Sequence, residues 1–323
     1  MNICLLGYGS IARSHVQALR EEDVTFHSVM GRVAESVAAF AEEFGFSRHT
    51  TNLEDALADP AVDAVIVASP TDLHFEQTEK ALRAGKHVLV EIPLATSLAQ
   101  ADALDRLARE AGLCLMVCHT QRYYPSLVAA KRMIASGELR VHHVSTRYAF
   151  LRRENVNWAG RRRSWTDNLL WHHGCHAVDT SLWLLDAQDA TVSSQVALPS
   201  RHLDIPMDLD VLLRTPADQL VAVNMSYNSR IQYNEYLLIG EENTLVATNT
   251  KLVAPDGVIL DTTASKGGPN PIRSQDQEFL TAIRENREPA ISAAAIRPAM
   301  RALQDVQDQY DAWRPAGVNH PVP

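Results

Sequence analysis

What this sequence lacks removes several classes of protein before anything in it needs explaining. No apolar run approaches the ~20 residues that a membrane-crossing helix requires, and the chain opens on a short strand-like run followed by glycines rather than on a secretory leader. A cytoplasmic protein with no membrane partner is expected. Only four cysteines occur among 323 residues. Cys4, Cys114, Cys118 and Cys175 fall on strand-like runs or beside histidines, not in a disulfide framework, so free thiols are expected. Basic residues are not in excess either: the formal net charge is -9, and no basic surface interleaves with aromatics, which argues against nucleic acid. Internal repeats and low-complexity segments are also missing.

What is present begins at the first residues. Asn2 to Leu6 is a short apolar run of buried-strand character, followed by Gly7-Tyr8-Gly9-Ser10-Ile11-Ala12 and a helical pattern from Ile11 to Leu19. Strand, glycine turn and helix follow in the order of a dinucleotide-binding unit. Gly7 permits the tight turn, Gly9 lets the backbone approach a pyrophosphate, and small Ala12 lets helix and strand pack closely. The phosphates would meet free N–H groups at the helix N-terminus. An ordinary glycine turn is the bland alternative.

The second strand, Val24 to Met30, bears on which dinucleotide is bound. Where an NAD site carries an acidic residue, this chain reads Met30-Gly31-Arg32. The planar fork of Arg32 suits a 2′-phosphate, so NADP is expected, with NAD the alternative if Arg32 is a solvated surface charge. Further strands, Ala64 to Ala68, His87 to Val90 and Leu113 to Val117, run into polar turns. Ligands of open parallel sheets bind outside such strand ends. Ser69, Thr71 and His74 after the first of these, Glu91, Ile92 and Pro93 after the second, and His119 and Arg122 after the third are therefore candidates for the cofactor crevice.

The richest segment is Ser164 to Asp179, SWTDNLLWHHGCHAVD. If it is α-helical, His172 and His176 lie one turn apart on one face and His173 points to the adjacent side. Imidazole changes charge near neutral pH, which suits proton removal from an alcohol. His176, His172 and His173 are the candidate bases, against the alternative of satisfied core or capping histidines. Cys175 suggests zinc, but no second Cys/His cluster is placed to complete a ligand set, so no metal is expected. Asp179 either orients the imidazoles or packs structurally.

Six arginines, Arg122, Arg152, Arg153, Arg161, Arg162 and Arg163, concentrate positive charge in an acidic chain. An anionic substrate would be drawn there, and arginine pairs carboxylates through two parallel bonds. Arg122, Arg152 and Arg153 are the candidates for substrate contact, with Asn155, Asn157 and Asp167 shaping the pocket. Trp165 and Trp171 suit packing, and Trp165 is also placed with the cofactor-facing set.

GYGSIA, SPTDLH, EIP and GCHAVD, in that order, resemble the glucose-fructose oxidoreductase, inositol dehydrogenase and rhizopine-catabolism family over essentially the whole chain. The resemblance implies a nucleotide-binding domain followed by an α/β domain whose open sheet faces substrate and often a partner subunit. Members commonly carry Glu-Lys-Pro, whose lysine assists proton transfer, and an Asp-x-x-x-His pair. Here Ile92 replaces the lysine and His172 the aspartate, while His176 keeps the histidine. Isoleucine moves no proton, so the histidines must. The longer strings EIPLA, HTQRYYPS, FLRRENVN and RSWTDNLLWHHGCHAVD resemble a member that oxidises the hemiacetal form of a small dicarboxylate semialdehyde with NADP.

The expected fold is α/β: a Rossmann domain over 1–120, and over 121–323 a substrate-binding and oligomerisation domain on an open, mostly antiparallel sheet. Its strands are Val141 to Phe150, Val192 to Leu198, Leu209 to Arg214, Leu220 to Tyr227 and Tyr236 to Gly240. Helices follow at Gln275 to Arg284 and Ala293 to Trp313, before a loosely ordered Pro315 to Pro323. A dimer through the sheet would cover its open face. Two rivals are a sugar or polyol dehydrogenase of the same family and a dinucleotide-sensing regulator without catalysis.

Overall fold

Apolar strands alternating with amphipathic helices build the first half of the computed structural model, which describes residues 1–156, 162, 166–263 and 270–314. Asn157, Trp165, Arg161, Arg163 and the Pro315 to Pro323 tail lie outside the described residues. Among the described residues the chain divides into two units, Met1–Thr120 with Pro269–Arg297 and Gln121–Gly268 with Pro298–Pro323.

In the first unit, β1 (Asn2–Leu6), α1 (Ser10–Leu19), β2 (Thr25–Met30), α2 (Ala34–Phe44), β3 (Arg48–Thr50), α3 (Leu53–Ala58), β4 (Ala64–Val67), α4 (His74–Arg83), β5 (His87–Val90), α5 (Leu98–Ala111) and β6 (Leu115–Val117) follow one another. The sheet is parallel and ordered β3-β2-β1-β4-β5-β6. Every residue of β4 is buried, as a parallel strand covered on both faces requires. The order reverses between β1 and β4, the switch point at which such sheets bind ligands. Ladder bonds continue one residue beyond the strands: Gly7 N–H donates to Met30 O, Glu91 N–H to Val67 O and Cys118 N–H to Val90 O. The strand ends are therefore level, and the turns after them share one edge.

In the second unit come α6 (Pro125–Ala135), β7 (Val141–Leu151), α7 (Cys175–Leu184), β8 (Thr191–Val196), β9 (Asp208–Arg214), β10 (Leu220–Ser226), β11 (Asn228–Gly240), β12 (Thr244–Thr248), β13 (Lys251–Ala254) and β14 (Gly257–Asp261). Their sheet runs β14-β13-β12-β11-β7-β10-β9-β8, antiparallel except where β10 lies parallel to β7. Alternation in β9 and β10 sends Leu209, Val211, Leu213, Val221, Val223 and Met225 inward. The same alternation leaves Leu212 and Leu220 exposed, and on β11 Ile231 is 64% exposed.

β11 begins at Asn228, well before the Tyr236 expected from sequence. Its first half, Asn-Ser-Arg-Ile-Gln-Tyr, is mostly exposed and is held to β7 by backbone pairing across a register shift, so no apolar alternation announced it. β12, β13 and β14 were not expected at all; the last lies almost wholly in the open. After them α8 (Pro271–Arg284) belongs with the first unit, not with a continuous second domain as the sequence suggested. The reason is packing: α8 lies along α1 and places Asp276 on His15. Val117 N–H then donates to Ile291 O, pairing the returning chain with the β6 edge. The last helix is α9 (Ala293–Trp313), whose Gln307 and Gln309 bond Trp171 and Ser194 in the second unit. Among the described residues no helix is long and apolar enough to cross a membrane.

Gly7 is the most constrained position of the first sheet, with φ +112 and a hypothetical Cβ 2.3 Å from the Ala68 carbonyl oxygen. Gly7→Ala should destabilise the fold by about 1–3 kcal/mol, read by urea unfolding. A variant as stable as the parent would show that the two strand ends can separate freely.

Candidate active site

The glycine turn has what a pyrophosphate requires. α1 starts after Gly9, no side chain caps it and its first turn holds no acidic residue, so nothing in the cap competes with an anion for the first N–H groups. At Gly7 a Cβ would fill the space beside Ala68, so the cradle exists only with glycine there. Ala12 is fully buried and lets α1 lie close to the sheet. These residues fit a dinucleotide. The sequence pattern did not single out Gly31, where a Cβ would fall 2.1 Å from the Tyr8 ring. Tyr8 thus lies across the end of β2, and Arg32, next in the chain, is exposed.

The other strand-end candidates separate into two kinds. Ser69, half-buried, donates to Gln77, and Thr71 opens a single turn of 3₁₀ helix before α4. His74 is buried, with Nδ1 2.8 Å from Pro93 O and Nε2 3.0 Å from Ser69 O. Both nitrogens lie on carbonyl oxygens, so the ring ties two strand ends together. His119 is likewise buried, as is Ile92, whose bond to Pro93 is cis. Glu91 is gripped by His15 Nε2 at 2.9 Å. A cavity of about 230 Å³ lined by His87, Arg109, Cys114 and Arg287 lies at the opposite ends of β5 and β6, away from this edge.

In the second unit the histidine segment is not α-helical where it was expected to be. Leu170–Gly174 forms a π turn, and α7 starts only at Cys175. The wider i→i+5 turn replaces the simple stacking of His172 over His176. Instead His172 and His173 meet ring to ring, centroids 4.3 Å apart. His172 Nε2 lies 3.8 Å from the buried carboxylate of Asp167. His173 is the most firmly oriented: its ring stacks on Tyr148 at 4.8 Å, and its Nδ1 is hydrogen-bonded to the Tyr227 hydroxyl. Burial pushes the Tyr227 phenol well above its usual range, so it stays protonated. His176 is half-buried on the first turn of α7.

Arg122 sits in an ion pair. Its Nε and Nη2 donate to Asp179 at 2.8 and 2.5 Å, and both side chains are nearly inaccessible. Asp179 therefore neutralises Arg122. Arg152 and Arg153 behave differently. Arg152 is buried over the Tyr227 ring and donates to the neutral Asn155, while Arg153 donates to the carbonyls of Arg152 and Tyr227. Among the described residues neither guanidinium pairs with a carboxylate. Tyr227 is thus the hub of histidine and arginine alike. Sequence reading missed it because a tyrosine ending an alternating strand looks like core, and its partners lie about 50 to 75 positions away.

This geometry accords with the family comparisons. Residues 1–119 match the model of the oxidoreductase family with NAD-binding Rossmann fold, and residues 125–265 match that of bacterial oxidoreductases, C-terminal. The chain belongs to this family of NAD(P)-dependent dehydrogenases, the glucose-fructose oxidoreductase, inositol dehydrogenase and rhizopine-catabolism group. Within it the chain is similar to 4-carboxy-2-hydroxymuconate-6-semialdehyde dehydrogenase of a Sphingobium species, 36% identical over 96% of this chain and 99% of that one. It is also similar to 1,5-anhydro-D-fructose reductase of Ensifer adhaerens, at 29% identity over 79% of this chain and 78% of the other. A levoglucosan dehydrogenase solved with NADH and levoglucosan shares the fold, with TM-score 0.84, 20% identity and 97% coverage of both chains.

Removing one partner of a buried ion pair strands the other. Asp179→Asn should cost about 3–5 kcal/mol, measured by chemical unfolding against wild type. A loss below about 1 kcal/mol would mean that water already reaches the pair.

Proposed function

We propose that this dehydrogenase oxidises, with NADP, the cyclic hemiacetal of 4-carboxy-2-hydroxymuconate-6-semialdehyde to the lactone 2-pyrone-4,6-dicarboxylate, a step of protocatechuate 4,5-cleavage. The observation that carries the reading is the Arg152 and Arg153 pair, two guanidinium groups that, among the described residues, have no carboxylate partner, beside the Tyr227–His173 bond. A substrate with two carboxylates supplies what they lack. The near full-length similarity to a dehydrogenase of that name supports the same substrate.

The bound dinucleotide supplies the hydride acceptor. The chain's own groups do the rest. One of His172, His173 and His176 takes the proton of the hemiacetal hydroxyl as the carbon–hydrogen bond breaks and the ring carbonyl forms. Tyr227 and Tyr148 hold His173 in one orientation, and Asp167 stands by His172, so an imidazolium formed there gains a nearby negative charge. Ile92 has no part in proton transfer. NADP is favoured by Arg32 at the end of β2, where no carboxylate follows the strand.

A sugar or polyol dehydrogenase is the competing reading, since the relatives include a reductase of 1,5-anhydro-D-fructose. The assay supplies the semialdehyde and follows nicotinamide reduction at matched NADP and NAD. Reduction is expected with NADP, falling about 10²- to 10⁴-fold in His176→Asn or His172→Asn. Arg32→Ala should erode the NADP preference by about tenfold or more. Turnover of polyols but not of the semialdehyde would sink this substrate, and dinucleotide binding without any turnover would favour a sensor.

The same reading assigns the open face of the second sheet, with Leu212, Leu220 and Ile231 exposed, to a second copy of the chain. Sedimentation velocity should give a dimer that dissociates on Ile231→Asp; a monomeric wild type would refute it.

A further inference from the structure

Inside the first unit, polar groups from four separate segments meet at one buried point. His15, in the second turn of α1, is completely buried. Its Nδ1 lies 2.8 Å from Asp276 Oδ2 on α8, and its Nε2 lies 2.9 Å from Glu91 Oε1 at the end of β5. Gln275 Nε2 donates to Asp276 Oδ1, Thr120 Oγ donates to Gln275, and Glu91 Oε2 accepts the Ile92 N–H. The Cys118 thiol completes the surroundings.

His15, Glu91 and Cys118 hold their polar atoms within 4.8 Å of one another, a spacing a metal could use. The chemistry points elsewhere. Both imidazole nitrogens already lie on carboxylates, which calls for two N–H donors and hence an imidazolium, and that form has no lone pair for a metal. Burial alone would lower the pKa of His15, but Asp276 and Glu91 outweigh it and raise it to about 10. Burial holds Cys118 as a neutral thiol.

We propose that His15 is a positioning residue whose charge, shared between Asp276 and Glu91, locks the Glu91–Pro93 turn to the helix that begins at the glycine turn and so sets the dinucleotide site. α1 starts at the pyrophosphate cradle, and Glu91 stands level with Ala68, the residue against which Gly7 packs. The chain Asp276–His15–Glu91 therefore fixes the interval between two turns that border one crevice. This inference rests on dinucleotide binding alone, whatever the substrate.

Substitution leaves a definite signature. In His15→Gln two carboxylates, Asp276 and Glu91, face each other's field in a buried site with no cation, and one of them must take a proton at higher pH than an ordinary carboxylate does. NADPH and NADH dissociation constants are measured by cofactor fluorescence on the full-length protein between pH 6 and 9. His15→Gln should bind both about tenfold more weakly than wild type at pH 8, with the deficit shrinking toward pH 6. Adding Asp276→Asn removes the surplus charge, and the double variant should recover to within about threefold of wild type at pH 8. Wild-type binding in His15→Gln would overturn the proposal. So would a deficit that is independent of pH and unrecovered in the double variant, because the imidazole would then only fill space. Should His15→Gln not fold, the ¹⁵N chemical shifts of the wild-type ring decide: an imidazolium persisting to pH 9 supports the charge lock, and a neutral ring at pH 8 overturns it. The sign for stability follows from the raised value. The contribution of His15 is complete below about 6.5, declines as pH rises, and is lost through about 10, so thermal stabilities of wild type and the double variant should converge there.

Discussion

The first unit turns on the contact between Gly7 and the carbonyl of Ala68, where no side chain can enter. Parallel strands must end level for the switch point to open, and here β1 and β4 end so close together that only a glycine fits, in a backbone conformation that only glycine adopts readily. From that approach follow the direction of α1, the exposure of its first N–H groups and the position of His15 in its second turn. α8 packs along α1 and supplies His15, which points into the core, with a second buried carboxylate, Asp276, beside Glu91.

In the second unit polar groups are buried in linked pairs, and the pairing decides which of them remain available for chemistry. α7 is buried almost all round, so Asp179 on it required a cation and took Arg122. Arg152 and Arg153, which follow β7, instead lean on the Tyr227 ring and on backbone carbonyls. Charge is thus cancelled at Arg122, while among the described residues Arg152 and Arg153 meet no carboxylate. The π turn serves the same end, since it brings His172 and His173 together in front of Tyr148 and Tyr227.

Much of this was legible in the order of residues, because it follows from periodicity and local backbone demands. β1, the glycine turn and α1 announced themselves, as did β4, β5 and the full length of α9. His15 could have been noticed: a histidine on the apolar stripe with Ala12, Val16 and Leu19 must find a buried partner. Nothing local could have paired it with Asp276, 261 positions away. The first half of β11 and the whole of β14 escaped because backbone pairing, not side-chain burial, holds them.

By itself, then, the sequence determined the Rossmann unit, the dinucleotide turn and the segment where histidines and arginines gather, since each depends on residues within one or two turns of each other. Tertiary structure alone decided which arginines are neutralised and which imidazole is clamped by a tyrosine. It also decided that a helix near residue 276 closes the first unit. Those outcomes depend on charges and rings brought within hydrogen-bonding distance from far along the chain, where the cost of burying an unpaired polar group, not local propensity, selects the partner.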